Sequence, residues 1–225
     1  MKIKNLNKII DHTNIEASVN EEAIRKTCQE AKKYKFRGVC VNSQWIKLVN
    51  EELKGTGIKT IALIDPPMGQ SSHFKRIEMA KKAKRDGADE LDLVINIFDI
   101  KYERFDEVLK DLKPICQLLP TKVIIGSGYL TDKEIERASQ LVKKAGAFCV
   151  KTSTERDPIE HIELKEKIRH LGIMKKGAPG LKIKASGKIE TFRDAMMMIK
   201  ASANIIGTSS GIKIIKGYKK IQKGT

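Results

Sequence analysis

Eight short apolar runs rich in β-branched residues punctuate this chain. They lie at residues 8–12, 38–42, 59–64, 90–96, 122–126, 148–152, 181–185 and 204–208, and segments of helical periodicity separate most of them. Few folds satisfy that alternation. Runs this continuously apolar suit strands buried on both faces, and helices between such strands allow them to run parallel. Eight strand–helix units favour closure into a single (β/α)8 barrel over an open doubly wound sheet. The helical segments carry their own boundaries. Ile135, Ala138, Leu141, Val142 and Ala145 recur at spacings of three and four. Thr131-Asp132-Lys133-Glu134 opens that segment as a capping box, and Gly146 closes it. No Pro/Gly/Ser-rich linker or shift in composition divides the chain, so residues 1–225 read as one domain. The lysine-rich tail at 216–225 is expected to be partly mobile.

The charge balance is strongly basic, with 44 Lys+Arg against 28 Asp+Glu and a net charge of +16. Such a balance raises nucleic acid as a partner. The lysines are scattered among glutamates on helix-like segments such as Glu78-Met79-Ala80-Lys81-Lys82-Ala83-Lys84, arginines do not cluster, and aromatics make up only 5%. A solvated charged surface is therefore favoured over a nucleic-acid platform. The same positive field suits a small anionic substrate. Cys28, Cys40, Cys116 and Cys149 form no C-x-x-C pair, and His12, His73, His161 and His170 share no ligand-like spacing. Neither a metal nor an organic cofactor is expected. No stretch approaches the length of a membrane span, and the expected setting is the cytoplasm.

In a barrel of this kind, chemistry comes from the C-terminal ends of the strands. Two of those ends carry lysine. One closes Phe148-Cys149-Val150-Lys151, and the other closes Leu181-Lys182-Ile183-Lys184. Burial disfavours an ammonium, and a second ammonium nearby disfavours it further. A lysine that gives up its proton is a nucleophile for carbonyl carbon. Other strand ends place Asp11 and Thr13, Cys40, and Asp92 at the same rim; Asp92 interrupts the otherwise apolar Leu91-Asp92-Leu93-Val94-Ile95. A salt bridge to a lysine and a proton relay are both open to it. The loops Ala185-Ser186-Gly187-Lys188 and Gly207-Thr208-Ser209-Ser210-Gly211 follow the last two strands, where such barrels often hold a phosphate. Ordinary tight turns are the competing reading.

Together these segments resemble the deoxyribose-phosphate aldolases, which are class I, Schiff-base aldolases. The resemblance runs from Ile10-Asp11-His12-Thr13 to Gly207-Thr208-Ser209-Ser210-Gly211-Ile212-Lys213-Ile214. Its most specific pieces are Glu90-Leu91-Asp92-Leu93-Val94-Ile95-Asn96, Phe148-Cys149-Val150-Lys151-Thr152-Ser153-Thr154 and Ile183-Lys184-Ala185-Ser186-Gly187. It implies reversible cleavage of 2-deoxyribose 5-phosphate to glyceraldehyde 3-phosphate and acetaldehyde. It also implies a (β/α)8 fold, no cofactor, and a homo-oligomer, dimer or tetramer. By the same resemblance Lys151 forms the Schiff base, Lys184 beside it eases loss of its proton or transfers one, and Asp92 relays protons. Asp11, Thr13, Cys40, Thr152, Ser186, Gly187, Lys188, Gly207, Ser209 and Ser210 are the residues expected to bind substrate. The chain departs from the family pattern at the rim. Glu155-Arg156 follows T-S-T where glycine is usual, Lys188 replaces a second glycine, and Glu190 stands where arginine is common. Gly126-Ser127-Gly128 replaces E-T-G, and Asp65-Pro66-Pro67-Met68-Gly69 replaces G-F-P. Lys188 or Arg156 could hold phosphate by charge; alternatives are a diverged class I aldolase for another aldehyde, such as an unphosphorylated one, and a non-catalytic barrel that binds nucleic acid or another anion.

Overall fold

The computed structural model describes residues 5–154 and 163–223. Eight parallel strands form one closed cycle, in which β8 returns to pair with β1. The strands are β1 Ile10–Asn14, β2 Gly38–Asn42, β3 Lys59–Ile64, β4 Glu90–Val94, β5 Thr121–Ile124, β6 Cys149–Lys151, β7 Lys182–Ser186 and β8 Ile205–Thr208. Around them lie α1 Glu21–Tyr34, α2 Ile46–Leu53, α3 His73–Arg85, α4 Ile97–Lys101, α5 Phe105–Leu118, α6 Asp132–Lys144, α7 Leu164–Gly177, α8 Phe192–Lys200 and α9 Gly211–Lys223. The expected barrel is the observed one.

Two apolar layers follow from the two faces of the strands. The larger lies between sheet and helices, and includes Ile10, Val39, Val41, Ala62, Leu91, Leu93, Val123, Val150, Ile183 and Ile206 with the inward stripes of the helices. The smaller, Ile15, Cys40, Ile61, Leu63, Val94 and Ile124, fills part of the barrel interior. Alternation thus splits each strand between a helix-facing set and an axis-facing set. The helix ends are chemically closed. Thr131 and Glu134 make the expected capping box on α6, and Thr191 with Asp194 makes another on α8. Gly146 ends the turn after α6 at φ +87°, a conformation that favours glycine.

Several strand bounds differ from those expected, most at the first and fourth strands. The first strand begins at Ile10 rather than residue 8, because Lys8 and Ile9 belong to a short 3-10 helix, Leu6–Ile9. The fourth stops at Val94, and Asn96 instead caps α4 by accepting from the amides of Phe98 and Asp99. The last helix, α9, carries the chain to Lys223, with Ile214 and Ile215 near its start buried against the core; residues 224 and 225 lie outside the described part. Among the described residues no helix is long and apolar enough to cross a membrane.

Candidate active site

Seven charged side chains converge on the barrel axis, and the strand register brings them there. Glu90 and Asp92 are two residues apart on β4, so they share the inner face. Lys122 lies opposite Asp92 on β5, and Lys151 lies opposite Lys184 across β6 and β7. Asp11 sits between two glycines, opposite Gly38 on β2 and Gly207 on β8. Gly207 makes room for the cluster. A Cβ there would lie 2.7 Å from Cε of Lys184 and 2.3 Å from Oγ of Ser186.

Asp92 is the hub. Its Oδ2 accepts from Nζ of Lys151 at 2.7 Å and from Nζ of Lys184 at 2.8 Å, so the two amines share one oxygen. Its Oδ1 accepts from Lys122 at 2.9 Å. Lys184 also donates to Oδ2 of Asp11 at 2.6 Å, and Lys122 reaches Oε2 of Glu90 at 2.6 Å. Arg37 closes the network beneath, bonding Asp11 at 2.7 Å and Glu90 at 2.6 Å. Four cations therefore face three carboxylates.

Buried charges survive only when paired, and here the pairing sets the protonation states. Burial by itself would raise the Asp92 carboxyl, but Lys122, Lys151 and Lys184 outweigh it and hold that group well below the usual range. Asp11 is likewise lowered, against its own burial, by Lys184, Lys122 and Arg37. Burial would lower Lys184, yet Asp11 and Asp92 raise it, which makes it a firm cation. Lys122 is raised against burial by Asp92 and Asp11. Cys40 is pushed up to about 12 by burial and by Asp92, so it is a thiol, with Sγ 3.6 Å from Oδ2 of Asp92.

The remaining expected residues fall into distinct groups. Asp11, Asp92, Cys40, Lys151 and Lys184 are brought together. Thr13 donates to its own strand at the Asp11 carbonyl, 3.1 Å. Thr152 is spent on β7: its hydroxyl accepts from the Ser186 amide and donates to the Ser186 carbonyl. Gly207 acts through the space it leaves. Ser186 is buried and its hydroxyl has no partner among the described residues. Gly187 is buried at φ +91°, while Lys188 is exposed. Ser209 and Ser210 line a cleft of about 660 Å³ with Thr191, Lys213 and Lys216. A larger cleft, about 890 Å³, runs beside the mouth along β1 and α1; Thr13 and Ser209 line it, but Lys151, Asp92 and Lys184 do not. Glu155 and Arg156 lie outside the described residues. Asp65, another strand end, is structural: it accepts from Ser71 and from the buried Arg76.

Reading strand ends alone missed Lys122, Glu90 and Arg37. Period-two alternation would have found two of them, since Lys122 precedes the inward Ile124 by two and Glu90 precedes Asp92 by two. Lys167 on α7 was also missed; it is fully buried and donates to the carbonyls of Ser186, at 2.5 Å, and Gly187. Among the described residues no group of three or more His, Cys, Asp or Glu side chains is placed to hold a metal ion.

Comparison with known proteins finds relatives along nearly the whole chain. The model of the DeoC/LacD aldolase family matches residues 6–217. The chain is 38% identical to the deoxyribose-phosphate aldolase of Clostridium novyi, over 98% of this chain and 99% of that protein. It is 39% identical to the same-named protein of Thermococcus gammatolerans, over 94% and 96%. Among solved structures, an aldolase called QR15 superposes with a TM-score of 0.90 at 32% identity, covering 98% of this chain and 99% of that one. The tetrameric deoxyribose phosphate aldolase of Aeropyrum pernix gives 0.83 at 28% identity, covering 96% and 91%. With a charged lysine cluster at the mouth of a closed barrel and relatives aligned along nearly its whole length, the chain belongs to the DeoC/LacD family of aldolases and is a lyase.

Proposed function

We propose that the protein cleaves 2-deoxy-D-ribose 5-phosphate reversibly through a Schiff base on Lys151. The observation that carries this reading is the shared Asp92 oxygen, which couples two lysine amines to one carboxylate in a buried site. Lys184 pairs with two carboxylates and Lys122 with three, whereas Lys151 pairs with Asp92 alone among the described residues. Lys151 is thus the amine freest to act as nucleophile. As a neutral amine it attacks C1 of the open-chain aldehyde. The carbinolamine loses water to give an iminium, the electron sink of the reaction. The C3 hydroxyl then gives up its proton, the C2–C3 bond breaks, and its electrons pass into the iminium to leave an enamine. C3 departs as the carbonyl of glyceraldehyde 3-phosphate. Protonation at C2 and hydrolysis release acetaldehyde and regenerate Lys151.

Asp92 is suited to carry those protons because its basicity depends on the state of Lys151. When that amine becomes an uncharged carbinolamine, one of three cations depressing the carboxylate is gone. Lys184 supplies a fixed positive field; its raised affinity for its proton makes it a poor shuttle. The glycine loops after β7 and β8 would take the phosphate. A homo-oligomer, dimer or tetramer, remains part of this reading, with the tetrameric relative in support, as does a cytoplasmic setting.

Borohydride added to protein and acetaldehyde should trap a covalent adduct on Lys151, seen by peptide mass spectrometry. Lys151→Ala should form none and lose turnover. An active Lys151→Ala protein overturns the mechanism. A second reading, an aldolase for an unphosphorylated acceptor, is motivated by the exposed Lys188 and Glu190 at the phosphate end. Parallel rates with glyceraldehyde and its 3-phosphate separate the two.

A further inference from the structure

Ser186 sits on the inner face of β7, one pleat above Lys184 toward the open end of the barrel. Its peptide is fixed on both sides. The amide donates to Oγ1 of Thr152 at 3.0 Å. The carbonyl accepts from Oγ1 of Thr152 at 3.1 Å, Oγ of Ser153 at 2.8 Å and Nζ of Lys167 at 2.5 Å. The side chain, in contrast, is only 3% exposed at the residue level, and its hydroxyl has no hydrogen-bond partner among the described residues. Its direction is defined by Gly207, whose missing Cβ would lie 2.3 Å from Oγ of Ser186 and 2.7 Å from Cε of Lys184. The hydroxyl therefore lies over β8, beside the stem of Lys184, on the axis side of the sheet. A buried hydroxyl with nothing to bond is costly, and a rigid, desolvated donor–acceptor is well prepared for a ligand group that can bond it.

Resting on the aldolase reading above, we infer that Ser186 recognises the hydroxyl of the acceptor aldehyde next to its reacting carbonyl, which becomes the C4 hydroxyl of the sugar. Position selects that group. A chain bonded to Lys151 at C1 and reaching the glycine loops with its phosphate passes Ser186 at its middle, where its remaining oxygens are hydroxyls. Ser186 is thus a specificity-determining residue rather than part of the phosphate loop that follows it. A site holding a buried hydrogen-bonding group discriminates strongly against an analogue that leaves the group unpaired.

The test pairs two phosphorylated acceptors with acetaldehyde as donor: D-glyceraldehyde 3-phosphate, and 3-phosphooxypropanal, which lacks the hydroxyl. The wild-type protein should favour the hydroxylated acceptor in kcat/KM. Ser186→Ala should lose about tenfold on that acceptor and stay within about twofold on the other, so that the preference collapses. It should melt no lower than wild type, since a hydroxyl without a protein partner is removed. Equal losses on both acceptors, an unchanged preference, or a lowered melting temperature would overturn the assignment. Borohydride trapping of acetaldehyde on Lys151 is run alongside. If the wild-type protein forms no adduct, the aldolase reading falls and this inference with it; with the adduct present, the selectivity ratio judges Ser186 alone.

Discussion

At the scale of single residues, Asp92 combines two duties that ordinarily compete. As a structural anion it offsets Lys122, Lys151 and Lys184; as a proton carrier it must accept from groups those cations make it reluctant to accept from. Asp92→Asn separates the duties. It keeps the shape, removes the proton acceptor, and leaves buried cations short of a partner. We expect kcat to fall by roughly 10²–10⁴-fold with KM within a few-fold, read from steady-state kinetics. Thermal or denaturant melts should show a loss on the order of 3–5 kcal/mol, as for a broken buried pair. A change in KM alone would argue that Asp92 only binds. Cys40, inside the same cluster, is a bystander to nucleophilic chemistry because burial keeps its thiol protonated.

At the scale of elements, the strands and the loops differ in how much the chain discloses. The second and third strands fall on the expected boundaries because Gly38-Val39-Cys40-Val41-Asn42 and Lys59-Thr60-Ile61-Ala62-Leu63-Ile64 are bounded by turn residues and carry continuous β-branched or apolar character. The first strand was displaced by two residues because Ile9 is apolar whether it closes a 3-10 turn or opens a strand; pairing of Asp11 with Gly38 and Gly207 decides the matter, and pairing is a property of three strands at once. The site was legible where a charge broke an apolar run, as at Asp92, Lys151 and Lys184. It was opaque at Arg37, which precedes its strand, and at Lys167, whose contacts depend on where α7 lies over β7. The fit of β7 against β8 is equally invisible in sequence, and Gly207→Ala exposes it. The added methyl meets Lys184 and Ser186, so we expect destabilisation of about 1–3 kcal/mol from overpacking, together with a fall in adduct formation. Wild-type melting and trapping would show that the two strands have more slack than their contacts indicate.

At the scale of the whole molecule, the charged axis defines the pH range over which the barrel holds together. Asp92 and Asp11 have folded-state pKa values below the ordinary 3.8, so their contribution is complete above that value and is lost as pH falls through the lowered ones. Lys184 and Lys122 have values raised above 10.5, so their contribution is complete below 10.5 and is lost as pH rises through the raised ones. Between those limits these four groups add no slope. Chemical denaturation followed across pH should therefore show a plateau with losses at both ends, and Asp92→Asn should remove part of the acidic limb. A slope across neutrality that survives in the Asp92→Asn protein would place the controlling groups elsewhere.

The count of four cations against three carboxylates has a further meaning for turnover on the proposed mechanism. An odd total lets the state of one nitrogen switch the electrical state of the interior: once the Lys151 proton has left the cluster, the amine and the carbinolamine leave three of each sign, and loss of water to form the iminium restores the imbalance. The chemical intermediate thereby sets the charge of its own surroundings: the interior is balanced at each stage in which the Lys151 nitrogen is uncharged, as amine, carbinolamine or enamine, and carries an excess positive charge at the iminium.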